Sequence, residues 1–152
     1  MSDGVGRILL AEDNVNDIEL TREALGGQSL VNEVDVARDG QEALDYLYRE
    51  GAFAGRLTGD PVVILLDLKM PRVDGLEVLR RVKADPALRH IPVVMLTSSI
   101  EERDVVESYR LGVNAYVVKP VDFKQFVDAV RKTGNFWAVL NNVPRSPGGT
   151  GA

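Results

Sequence analysis

Five short apolar runs, each followed by an amphipathic pattern of helical spacing, constrain this chain more than any other feature. The runs Ile8–Ala11, 31–37, 62–66, 92–97 and 113–118 are rich in Val, Ile and Leu and are bounded by Gly, Pro or Asp. Short β-branched runs closed by such residues read as buried strands. Between them, apolar residues recur at spacings of three and four. They are Ile18, Leu20 and Leu25 after Asn14; Ala43, Leu44 and Leu47 after Asp39; and Leu76, Val78, Leu79 and Val82 after Asp74. Val105, Val106 and Tyr109 follow Glu101, and Phe123, Phe126, Val127 and Val130 follow Asp122. Each pattern opens on an acidic residue or Asn, as helix caps and the macrodipole favour. Strand and helix therefore alternate five times. That alternation predicts right-handed βαβ units, an α/β domain with a five-stranded parallel sheet and helices on both faces. The runs 62–66 and 93–96 carry no polar alternation, as expected of strands covered on both sides.

A length of 152 residues fits one such domain, against roughly 100 to 200 residues per domain, and no internal repeat suggests a second. The expected organisation is a tail at 1–5, the domain at 6–141 and a C-terminal tail at 142–152. The ending PRSPGGTGA makes disorder the expectation for that tail. The glycine-rich connector 51–60, GAFAGRLTGD, exceeds the usual length of about two to six residues. A domain of this extent leaves too little chain for a further DNA-binding or catalytic module, so the domain is expected to act through what it touches.

Composition removes several function classes. The net charge of −5 disfavours a binder of nucleic-acid phosphates. No cysteine is present, so a thiolate metal site and a cysteine nucleophile are excluded. The single histidine, His90, cannot build a multi-histidine metal site and reads as a surface residue of a connection. No segment reaches the roughly 18 apolar residues of a membrane span, and a cytoplasmic location is expected.

In open parallel sheets, ligands bind beyond the carboxyl ends of the strands. The residues at those ends are Glu12 and Asp13, then Asp67, then Thr97 and Ser98, and finally Lys119 with Pro120. Three carboxylates crowded together repel one another unless a cation sits among them. A hard divalent ion with oxygen ligands, Mg²⁺ foremost, meets that need. Glu12, Asp13 and Asp67 then balance Mg²⁺ and the Lys119 ammonium to zero, which suits an incoming phosphoryl group. An Asp carboxylate is an effective nucleophile for phosphoryl transfer, so Asp67 reads as the phosphoacceptor. Ser98 is small enough to leave the phosphoryl path open. Lys69, two positions after Asp67, falls near the mouth of the site.

The segments ILLAEDN, VVILLDLKMPRVDG, IPVVMLTSS and AYVVKPVDF resemble the receiver domain of two-component response regulators over about residues 5 to 140. The resemblance implies a (βα)5 flavodoxin-like topology with strand order 2-1-3-4-5. It implies that Asp67 takes its phosphoryl group from a phosphohistidine on a partner histidine kinase. Asp13, Asp67, the backbone carbonyl of Lys69 and Glu12 through water would hold Mg²⁺, for which Mn²⁺ can substitute. Thr97 would be the hydroxyl switch, Tyr116 the aromatic switch and Lys119 the phosphate-binding cation, with a cis Lys119–Pro120 bond. The connector 51–60 and the stretch NFWAVLNNVP at 135–144 further resemble single-domain regulators serving phytochrome-type kinases. Those regulators form homodimers through the fourth helix, fifth strand and fifth helix, a face that Phe136 and Trp137 would extend.

Three other readings compete. A phosphohydrolase with an aspartyl-phosphate intermediate calls for a second Asp two residues after the nucleophile, where Lys69 stands. A flavodoxin-like cofactor binder needs glycines and hydroxyls after the first strand. Residues 12–17, EDNVND, offer negative charge instead. A receiver that only docks would not need the complete residue set.

Overall fold

The computed structural model describes residues 6–26, 33–98, 101, 113 and 115–133. Five parallel strands form one sheet: β1 (Ile8–Ala11), β2 (Val34–Ala37), β3 (Val63–Asp67), β4 (Val93–Thr97) and β5 (Ala115–Val118). Their order is β2-β1-β3-β4-β5. Helices α1 (Val15–Gly26), α2 (Gly40–Tyr48), α3 (Gly75–Ala84) and α4 (Phe123–Thr133) connect or follow them. Helix α4 is the fifth helical pattern of the sequence. The fourth pattern, after Glu101, falls largely outside the described residues, as do 135–144 with Phe136 and Trp137 and the tails at 1–5 and 142–152.

Alternate residues of each central strand enter two separate apolar layers. Leu9, Ile64, Leu66, Val93 and Met95 pack with α2 and α3 through Leu44, Leu47, Val78, Leu79 and Val82. Ile8, Leu10, Val63, Leu65, Val94 and Leu96 pack with α1 and α4 through Ile18, Leu25, Phe126 and Val130. Both faces are covered, which is why the central runs lack polar alternation. Polar caps set the helix starts. Asp39 accepts from Glu42 N at 2.8 Å, Asp74 from Glu77 N at 2.9 Å, and Asp122 from Gln125 N at 2.7 Å.

Register brings the chemistry to one edge. Ala11 pairs with Leu66, so Glu12, one step on, lies level with Asp67. Asp67 pairs with Leu96, and Thr97 with Val118, so Thr97 and Lys119 each continue the same carboxyl edge. Among the described residues, several strand boundaries differ from the sequence expectation: Asp67 is the last residue of β3 rather than the residue after it, β3 and β4 begin at Val63 and Val93, each one residue later than its apolar run, and β5 begins at Ala115 rather than 113.

The connector 51–60 is more ordered than its glycine content suggests. A 3-10 turn at Gly51–Phe53 opens it, with Gly51 at φ +54°. Arg56 then donates to the carbonyls of Tyr46 (3.0 Å), Thr58 (2.9 Å) and Gly59 (2.8 Å), while its guanidinium lies 4.1 Å above the Tyr46 ring. Tyr46 in turn donates to Asp35 at 2.5 Å. His90, 62% exposed, stands 3.4 Å from Asp60, at the surface as its sequence position suggested.

Candidate functional site

Strand geometry alone delivers three carboxylates to one place. Glu12 is fully buried, Asp67 is 5% exposed and Asp13 is exposed. One carboxylate oxygen from each lies within 4.8 Å of the other two. Three oxygen donors this close, one open to solvent, form a set suited to a hard divalent cation that keeps part of its water shell. Glu12 is oriented locally: its Oε2 accepts from Asn14 N at 3.2 Å, and its own N donates to the Ala37 carbonyl at 2.9 Å.

Lys119 enters the same cluster from the end of β5. Its Nζ lies 3.2 Å from Asp67 Oδ1, 3.1 Å from Glu12 Oε1 and 2.9 Å from Asp17 Oδ2. The third contact is one that the sequence reading missed. Asp17 is in the first turn of α1, where an acid is ordinarily explained by the macrodipole. The available signal was its helical position one turn beyond Asp13. With Asp17 the site holds four carboxylates, so the neutral count obtained from three no longer closes.

Burial and the neighbouring Glu12 charge, opposed by Lys119, push the Asp67 carboxyl up to about 7. Burial lowers the Lys119 ammonium, but its hydrogen bond to Asp17 and the charges of Asp67 and Glu12 outweigh that and hold it above its ordinary range. The lysine is thus held in its charged form, while the Asp67 carboxyl is raised as expected of a buried carboxylate beside a like charge.

Thr97 closes the site on the β4 side. It is fully buried and its Oγ1 has no hydrogen-bond partner among the described residues, an unusual state for a buried hydroxyl. Its backbone carbonyl accepts from Lys119 N at 2.8 Å, joining the β4 and β5 ends. The Lys119–Pro120 peptide bond is cis. Tyr116, on β5, is half-buried and packs against the α2/α3-side apolar layer. Lys69 and Ser98 are both exposed, two residues after Asp67 and one after Thr97.

The loop after β3 is fixed by a glycine. A Cβ on Gly75 would stand 2.1 Å from the Asp67 carbonyl oxygen and 2.9 Å from Leu68 Cα. Gly75 N donates to the Leu68 carbonyl at 2.9 Å, bringing the start of α3 back against the chain segment that carries Asp67.

The family model for the response regulator receiver domain matches residues 8–131. The chain belongs to the response regulator receiver family. The receiver is similar to "Response regulator Rcp1" of Synechocystis sp., at 39% identity over 137 residues, 90% of this chain and 92% of that protein. The solved Mn²⁺-bound form of Rcp1 aligns at 38% identity with a TM-score of 0.69, covering 92% and 99% of the two chains. The bacteriophytochrome response regulator AtBRR is 63% identical with a TM-score of 0.86, covering 90% of this receiver and 98% of that chain. The phosphorylated cyanobacterial phytochrome response regulator RcpA is 41% identical with a TM-score of 0.70, covering 92% and 97%. A receiver of this family is a signalling protein, and the strand order 2-1-3-4-5 implied by the resemblance is the order observed. No helix among the described residues is long and apolar enough to cross a membrane.

Proposed function

We propose that Asp67 accepts a phosphoryl group from a phosphohistidine on a histidine kinase of the phytochrome type. The observation that carries this is the Asp67 carboxylate held 3.2 Å from the Lys119 ammonium, beside Glu12 and Asp13. Asp67 Oδ attacks phosphorus, the P–N bond of the phosphohistidine breaks, and the imidazole leaves with its electron pair and takes up a proton. Asp13, Asp67, the Lys69 carbonyl and Glu12 through water would hold Mg²⁺, or Mn²⁺ in its place. When bound, that cation supplies the positive charge that the carboxylates and an incoming phosphoryl group require. Lys119 stabilises the phosphoryl oxygens.

Phosphorylation replaces one negative charge on Asp67 with about two. The unpartnered Thr97 hydroxyl then gains an acceptor, and Tyr116 turns inward as Thr97 moves. The two arrangements exist in equilibrium, and the phosphoryl group favours one. Names of relatives that contain "phytochrome response regulator" support the kinase class. In this reading the protein works in the cytoplasm and forms a homodimer through β5, α4 and the segment after Glu101; light scattering that finds a monomer at high concentration with and without phosphorylation removes the dimer.

The test is intact mass after incubation with Mg²⁺ and a small phosphodonor. A single labile phosphoryl adduct, lost in Asp67→Asn, is the expected result. An unchanged mass overturns the phosphoacceptor reading. An adduct that persists in Asp67→Asn overturns the site assignment.

A further inference from the structure

The Lys119 ammonium donates to Glu12 Oε1 and Asp17 Oδ2 and forms an ion pair with Asp67 Oδ1 at 3.2 Å, so three carboxylates surround its three N–H groups. The three are not equivalent. Glu12 and Asp67 belong to the group of oxygens that can hold a metal; Asp17 does not. A divalent cation therefore neutralises two of the lysine's partners and leaves the third at full charge. Asp17 is also the shortest of the three contacts at 2.9 Å, and its carboxylate is only 29% exposed.

Asp17 is held in place independently of the lysine. Its backbone N–H donates to Asn14 Oδ1 at 2.9 Å, which caps α1, and Ile18 N donates to the Asn14 carbonyl at 2.9 Å. The carboxylate thus projects from a fixed helix start to a lysine 102 residues away in the chain.

We propose that Asp17 is a positioning residue that competes with a phosphoryl group on Asp67 for the Lys119 ammonium, and so shortens the life of the phosphorylated state. This inference rests on the reading of Asp67 as phosphoacceptor. In the unphosphorylated protein Asp17 anchors Lys119 at the carboxylate cluster. After phosphorylation the phosphoryl oxygens need that ammonium, and Asp17 holds it back while adding its own negative charge. Loss of the phosphoryl group proceeds by attack of water oxygen on phosphorus. The Asp67 Oδ–P bond breaks, inorganic phosphate leaves and the carboxylate is restored. A lysine fully committed to the phosphoryl oxygens favours the resting adduct, whose oxygens carry more charge than those of a loose, metaphosphate-like transition state, and so retards that loss.

The experiment uses the full chain, phosphorylated with a small phosphodonor and Mg²⁺, and follows the adduct by intact mass after donor removal. Asp17→Asn keeps the shape and an acceptor oxygen but removes the charge. The expected result is a phosphoryl lifetime longer by roughly threefold or more, the scale of one unit charge at a partly screened site. Asp17→Glu, which restores the charge, returns the lifetime toward wild type; a role limited to stabilising α1 would not sort the variants this way. In parallel, the Lys119 ammonium signal is recorded by ¹⁵N NMR in the unphosphorylated, metal-free protein. It is expected to be protected from exchange in wild type and to weaken in Asp17→Asn.

An unchanged or shortened lifetime in Asp17→Asn overturns the competition, and an unchanged ammonium signal overturns the anchoring. A wild-type protein that takes no phosphoryl group overturns the Asp67 reading and the competition with it. The ammonium signal separates that failure from a failure of the Asp17 contact.

Discussion

The Lys119 Nζ and the Asp67 Oδ1, from the ends of β5 and β3, stand 3.2 Å apart at the carboxyl edge of the sheet. Thr97, at the end of the strand between them, accepts the Lys119 backbone N–H at 2.8 Å. The lysine's position is therefore set by the sheet as well as by its charge. One ammonium serves Glu12, Asp17 and Asp67 together, and this sharing makes the site both tight and short of positive charge.

Removing that ammonium should be costly when no cation is present. Lys119→Ala leaves Glu12, Asp17 and Asp67 without their shared partner, and breaking a buried ion pair from one side typically costs about 3 to 5 kcal/mol. Here the expected loss is about 2 to 4 kcal/mol, since Asp17 is partly solvated. Urea denaturation in a chelating buffer measures it. Added Mg²⁺ should stabilise the variant more than wild type; a variant as stable as wild type in chelator would contradict the shared-partner picture.

Asp67 predicts a pH dependence of definite sign. Its folded pKa, about 7, lies above the ordinary value of 3.8, so between these the folded state binds the extra proton. Stability from this group is therefore greatest below about pH 4 and declines as pH rises toward about 7. Asp67→Asn removes the titration. Without divalent cations the variant should be more stable than wild type at about pH 8, by roughly 1 to 3 kcal/mol, and the difference should shrink toward about pH 4. Urea midpoints across that range check it, and a difference that grows as pH falls would reverse the argument. Mg²⁺ should raise the wild-type midpoint at about pH 8 and leave Asp67→Asn nearly unmoved.

What could be read in advance followed from position at strand ends. Glu12, Asp67, Thr97 and Lys119 each stand at or just beyond the last residue of an apolar run, and a parallel sheet in register must bring such residues together. Asp17 had no such address. It lies inside a helix, its local role was already explained by the helix start, and its partner is 102 residues away. The same holds for Arg56, whose bonds to three backbone carbonyls tie down a segment that its glycines mark only as a loop. Periodicity reports which face is buried; it carries no record of which long polar side chain reaches which carbonyl.

Gly75 makes a prediction about backbone rather than charge. Gly75→Ala places a Cβ 2.1 Å from the Asp67 carbonyl oxygen, and backbone atoms on both sides must shift to admit it. The helix propensity gained from Ala, about 1 kcal/mol, is too small to offset that overlap. A net destabilisation of about 2 kcal/mol or more is expected, together with weaker Mg²⁺ binding because the displaced backbone carries Asp67. Thermal denaturation and a Mg²⁺ titration followed by amide chemical shifts test both parts. A stabilised variant with unchanged Mg²⁺ affinity would mean that the α3 start moves freely of β3.

Thr97 separates a structural from a signalling role most directly. Its Oγ1 is buried and has no partner among the described residues, so removing the hydroxyl is expected to cost no stability in the unphosphorylated protein. Thr97→Val keeps the branched shape and removes the oxygen. The variant should be as stable as wild type or more stable, by up to about 1 kcal/mol. It should still accept a phosphoryl group, because Asp67, Glu12, Asp13 and Lys119 are untouched. What it should lose is the response: chemical-shift changes at Tyr116 and along β5, present in phosphorylated wild type, should be largely absent in phosphorylated Thr97→Val. Thr97→Ser, which retains a hydroxyl in a roomier pocket, should restore part of them. Should Thr97→Val instead unfold readily, the hydroxyl would have a partner in solution and its assignment to the switch would lose its basis. Should it stay folded and respond fully, the signal would travel from Asp67 by a route that bypasses β4.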